Sequence, residues 1–110
     1  MVKMHDYDIL VSMCFLSKEN GGRTCLPPVE DRDYTYRPIF RLDDGKYGYC
    51  CGIVIGSYIQ NYSFQTELLN VKILFLNFPE IKNKLSVGKN FTLYEGNVKI
   101  ATGHITKIKE

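Results

Sequence analysis

The sequence predicts an all-β fold, an antiparallel sandwich or a closed barrel, from three observations. Apolar residues recur with period two, turn-forming residues interrupt them at short spacing, and no segment carries a convincing helical stripe. With 110 residues, the chain has the size of one domain spanning residues 1–110. Its 45% hydrophobic and 24% charged content supplies a core and excludes disordered and collagen-like classes. Closure is favoured over an open sheet because so many β-branched and aromatic residues would leave adhesive edges.

The elements follow in chain order. Tyr7, Ile9, Val11, Met13 and Phe15 hold every odd position of the first run, while Asp8 and Ser12 are among the even ones, as in a half-buried strand. The stretch Ser17 to Thr24 contains Asn20-Gly21-Gly22, where positive φ is accessible at low cost, and breaks that strand. Residues 25–35 lack periodicity and read as an exposed loop with acidic residues Glu30, Asp31 and Asp33. Tyr36 to Arg41 is a short strand whose Pro38 lacks a donor and so marks an edge, a strand start or a bulge. Asp43 to Gly45 forms a turn, Tyr47 to Ile55 a strand, and residues 56–64 a further turn.

Leu68 to Phe78 is apolar on both parities in its second half, which fits a strand with a core on one side and a loop or partner on the other. Pro79 ends it, and residues 80–88 read as irregular or as a short extra strand. Asn90 to Tyr94 and Val98 to Ile108 are strands joined by the turn Glu95-Gly96-Asn97. Val98, Ile100 and Ile108 share one parity and Ile105 has the other, so a bulge or bend is expected near Gly103.

The net charge of +2 conceals an asymmetry. Residues 71–110 carry seven lysines against three acids, and the first 70 residues have a net negative charge. A basic C-terminal portion is compatible with a phosphate backbone or an acidic protein, although dedicated nucleic-acid domains are usually basic throughout. Cys14, Cys25, Cys50 and Cys51 show no metal-ligand spacing with His5 or His104, so no metal site is expected and the cysteines read as small hydrophobes. Strand geometry would send Cys50 and Cys51 to opposite faces. No secretory signal or uncharged apolar run of spanning length is visible, which predicts a soluble, cytoplasmic protein without membrane contact. No nucleophile has a recognisable oriented base and no phosphate-binding loop is present, so the expectation is a non-enzyme without nucleotide or other cofactor.

Four short motifs occur in a telling order: Leu16-Ser17-Lys18 leading to Gly21-Gly22-Arg23, then Tyr36-Arg37-Pro38, then Asn70-Val71-Lys72, and finally Phe91 to Gly103 with its Glu95-Gly96 turn. In that order they resemble the C-terminal, third domain of bacterial elongation factor Tu, over nearly the whole chain. The resemblance implies a six-stranded antiparallel Greek-key barrel, here free-standing, and contact with the T-stem backbone of aminoacyl-tRNA. Carried over residue by residue, it assigns RNA contact to Arg37, Glu95 and Gly96: a guanidinium for phosphate, a carboxylate for a ribose hydroxyl, and a glycine that lets the backbone approach.

Other contact positions depart from the family pattern. Ile39 stands where the family has glutamine, Tyr94 where it has arginine, and Cys51-Gly52 falls near a family threonine only across an insertion. One retained cation gives little phosphate affinity, and turn or scaffold roles are favoured for all three matched residues. The leading expectation is therefore a protein-binding barrel, a stand-alone mimic of a translation-factor domain acting as a decoy or immunity-type protein. Gly21, Gly22, Arg23, Glu30, Asp31 and Asp33 would form its partner-binding loop. The alternative is an RNA-binding barrel that contacts the tRNA T stem through Arg37, Glu95, Gly96 and the C-terminal lysines.

Overall fold

In a computed structural model of the chain, residues 7–17, 19, 21–22, 36–55, 63–64 and 66–109 are described. They form six strands: β1 Ile9–Phe15, β2 Ile39–Leu42, β3 Tyr49–Val54, β4 Leu68–Phe75, β5 Asn90–Glu95 and β6 Val98–Ile108. The strands close into a barrel in the order β1-β4-β3-β2-β5-β6, and every neighbouring pair is antiparallel. Successive strands β2, β3 and β4 lie side by side and β1 sits beside β4, a Greek-key order. The β1–β6 pairing closes the ring and removes the last free edge.

The predicted alternation in β1 holds, with Ile9, Val11, Met13 and Phe15 all buried in the barrel interior. Opposite them, Phe40, Phe75 and Phe91 form an aromatic cluster. The rings of Phe40 and Phe91 stack at 4.7 Å, and Phe75 meets Phe40 edge-on at 4.9 Å, geometries that add to simple area burial. Pro38 stands immediately before β2, one of the places a residue without an N–H is tolerated, and its carbonyl accepts from the Cys51 amide. Cys50 is exposed and Cys51 buried, as alternation requires.

Residues 78–84 differ from the sequence expectation. The strand stops at Phe75, and Pro79 opens a short helix, α1 (Phe78–Ile81), followed by a 3-10 turn at Lys82–Lys84. Proline suits the first turn of a helix because the N–H it lacks would have no partner there. The helix carries Ile81, which is fully buried, and Leu85 after the turn joins the same core cluster, so the segment plugs one end of the barrel. The signal was the spacing of Phe78, Ile81 and Leu85, three and then four residues apart.

The parity change in β6 arises at two bulges rather than one near Gly103. Tyr94 pairs with Lys99 and Leu93 with Ala101, which leaves Ile100 as the extra residue; Leu10 pairs with Lys107 and Val11 with Ile105, which leaves Thr106. Gly103 lies between them in regular register with Met13 and Phe91. Its role is close approach: a β-carbon there would lie 2.3 Å from the Ser12 carbonyl oxygen. A third irregularity in β4, opposite Ser12, is accommodated by Asn70 at φ 59°, a left-handed conformation that asparagine tolerates better than most residues.

Candidate functional site

Arg37 is exposed at the entry to β2 and makes no ion pair among the described residues. It lines a cleft of about 410 Å³ over the outer face of β3 and β4, together with Cys50, Gly52, Leu74 and Leu76. The local sequence explains this shape. Val71, Ile73 and Phe75 turn into the core, so the alternate residues Lys72 and Leu74 must turn outward. Leu76, just past the strand end, is held by donation of its amide to the Cys50 carbonyl at 3.0 Å, yet its side chain is 79% exposed. Gly52 contributes no side chain to the cleft. A smaller depression lined by Gly48, Tyr49 and Glu80 shares Cys50, Phe75 and Leu76 with it and extends the surface toward α1. At its border the Lys84 ammonium donates to the Tyr49 hydroxyl at 2.8 Å, and that bond pushes the Lys84 pKa up.

The two adjacent thiols have different chemistry. Burial, and secondarily the neighbouring Cys50, pushes the Cys51 thiol far above its ordinary value. Its Sγ points to the Pro38 carbonyl at 3.5 Å, so it behaves as a small core residue. Cys50 faces the cleft.

Of the remaining sequence-derived candidates, Gly21, Gly22, Glu95 and Gly96 fall at the end of the barrel where β1 finishes and β6 begins. Glu95 accepts a hydrogen bond from the Tyr36 hydroxyl and so ties the segment before β2 to the end of β5. Gly96, at φ 62°, is the first residue of the two-residue turn that brings Glu95 opposite Val98, a position where a tight hairpin favours glycine. Gly21 has φ 88°, and the Gly22 amide donates to the Ser17 carbonyl at 2.7 Å, so both take part in the turn after β1. Arg23, Glu30, Asp31 and Asp33 lie outside the described residues. Lys107 and Lys109 are at the far end of β6 from Gly96, on the order of 30 Å away at the rise of a strand. The structure therefore separates Lys107 and Lys109 from Gly96, whereas Lys99 stands opposite Tyr94, next to Glu95.

A groove of about 310 Å³ across β1, β6 and β5 gathers polar side chains that the sequence reading did not single out, among them Ser12, His104, Asp43 and Glu67. Its carboxylates are engaged: Ser12 Oγ donates to Glu67 Oε2, and Thr92 Oγ1 donates to Asp43 Oδ1 at 3.0 Å. Among the described residues, no group of three or more histidine, cysteine or acidic side chains is arranged to hold a metal ion. No helix among them is long and apolar enough to cross a membrane. No protein-family model and no curated protein matches the chain.

Proposed function

We infer that the protein is a binding module whose β3–β4 face engages another protein. The observation that carries this reading is an exposed apolar surface bordered by a guanidinium: Leu76 and Leu74 beside Arg37, over a backbone opened by Gly52. Large aliphatic side chains held outward on a closed barrel are covered when a partner docks, and covering Leu76 alone is worth about 1–2 kcal/mol. Arg37 selects a partner that presents a carboxylate next to its own apolar residues. The order of motifs resembling the third domain of elongation factor Tu supports a narrower version, in which this free-standing barrel acts as a decoy and intercepts a protein that binds the factor.

The test is capture by the immobilised full chain from a lysate of its source cells, repeated with Leu76→Asp and Arg37→Glu. The expected result is a protein retained by wild type, lost at least tenfold with either variant, and displaced by added elongation factor Tu. Retention of the same proteins by all three forms, with the variants folded by circular dichroism, would overturn the assignment of this face. Failure of the factor to displace the partner would overturn the decoy version alone.

A further inference from the structure

The end of the barrel plugged by α1 carries a second surface, independent of the Arg37 cleft. An open cleft of about 780 Å³, larger than those described above, is lined by Tyr7, Lys82, Val87, Lys107 and Lys109, and no described residue lining it is acidic. We propose that this cleft binds the phosphodiester backbone of a single-stranded nucleic acid, with Lys82, Lys107 and Lys109 on successive phosphates beside the Tyr7 ring.

Two elements bring the cations together. Lys82 comes from the 3-10 turn that follows the Ile81 plug, and Lys107 and Lys109 come from the end of β6 and the residue after it. Two residues apart, Lys107 and Lys109 share one side of the chain, and their ammonium groups stand 5.9 and 5.8 Å from the centroid of the Tyr7 ring. The Lys109 amide donates to the Asp8 carbonyl at 2.8 Å, which keeps this tail alongside β1 and fixes the arrangement.

None of the three makes an ion pair among the described residues, whereas Lys89 is paired with Asp44 and Lys84 is bonded to Tyr49. The cations of this end that have no ion pair among the described residues are thus concentrated in one cleft, where their mutual repulsion is relieved by a polyanion. A strand rise places the α-carbons of Lys107 and Lys109 about 6.6 Å apart, close to the spacing of phosphates along an extended single strand. The Tyr7 ring and the Val87 side chain, 64% exposed, supply flat and apolar contacts for bases that a purely electrostatic site for an acidic peptide does not need.

The test is fluorescence anisotropy with labelled ten-nucleotide oligouridylate and oligothymidylate at 50 and 200 mM salt. Neutralising three phosphates of a single strand gives a slope of log K against log salt of about −2, so affinity should fall about twentyfold between the two conditions. Lys107→Ala with Lys109→Ala should reduce the slope to about −0.7, while the paired arginine substitutions keep it near the wild-type value. Tyr7→Leu should weaken binding at least fivefold without changing the slope. Circular dichroism establishes that each variant is folded. Absence of binding at 50 mM salt, wild-type affinity in the double alanine variant, or displacement of the oligonucleotide by polyglutamate at equal charge concentration would each overturn the proposal.

Discussion

Replacing Gly103 by alanine tests the seam that makes this sheet a barrel. The new β-carbon would lie 2.3 Å from the Ser12 carbonyl oxygen, 2.7 Å from Met13 Cβ and 2.9 Å from Met13 Cα. Two of these atoms belong to the backbone of β1, so no rotamer change relieves the contact. Restoring an ordinary separation requires β1 and β6 to part by roughly 1 Å, which stretches the nearby ladder hydrogen bond beyond useful length. Overpacking costs about 1–3 kcal/mol and a lost hydrogen bond about 1 more, giving an expected destabilisation of about 2–4 kcal/mol. For a domain of this size, that lowers Tm by about 8–16 °C. Gly45→Ala is the control: its β-carbon meets only Leu42 atoms at 3.5 and 3.6 Å, so it should be neutral or stabilise by up to about 1 kcal/mol through the unfolded chain. Thermal and urea unfolding followed by far-ultraviolet circular dichroism read both. A Gly103→Ala protein melting within about 2 °C of wild type would refute the reasoning, because the collision exists only if β1 and β6 run backbone against backbone at this point.

Ile81→Ala should cost about 2–5 kcal/mol in urea unfolding, because it empties a fully buried position at the barrel end. Leu76→Ala, at a side chain 79% exposed, should change stability by no more than about 0.5 kcal/mol. Iodoacetamide followed by peptide mass spectrometry should modify Cys50 in the native protein and Cys51 only after unfolding, since burial keeps the second thiol protonated. The same burial predicts a pH dependence. Folded Cys51 holds a proton that the unfolded chain releases above roughly pH 8.5, so its contribution is complete below that pH and is lost as pH rises, at most about 1.4 kcal/mol per unit. Denaturant titrations at pH 8, 9 and 10 should show that part of the slope vanish in Cys51→Ala, and identical slopes in the two proteins would contradict it.

The strands were legible because their inward residues alternate, and in β1 that pattern runs through Phe15 without a break. The bulges were less so. Period-two reading detects that parity changes between Ile100 and Ile108, but the glycine between them drew the bend to itself. Gly103 is there for the space it leaves to β1, while the extra residues Ile100 and Thr106 have ordinary side chains. The helical plug is not legible from periodicity because Phe78, Ile81 and Leu85 span only two turns, too short to outweigh an irregular segment or short strand after Pro79. For the candidate surface, the sequence showed that Leu68 to Phe78 is apolar on both parities. Which residues stand beside it depends on the pairing of β3 with β4 and on the entry of β2, which put Cys50, Gly52 and Arg37 against Leu74. That neighbourhood is set by long-range register, and local patterning does not determine register between strands.

The ring order also relates the two proposed surfaces. β3 and β6 stand opposite each other among the six strands, so the face bearing Cys50 and Gly52 points away from the strand that ends in Lys107. Between them lies one core, in which the inward residues of all six strands pack, and neither Leu76 nor the pair Lys107 and Lys109 belongs to it. Substitutions on well-separated faces of such a scaffold combine additively to within about 0.5 kcal/mol. Leu76→Asp should therefore leave oligonucleotide affinity within about twofold of wild type, and the Lys107 and Lys109 alanine pair should leave capture of the protein partner unchanged. A larger cross-effect would mean that binding at one face alters the barrel itself, and the short β2–β3 pairing, with register only from Ile39 to Cys50 and from Phe40 to Tyr49, is where such a change has the least backbone pairing to break.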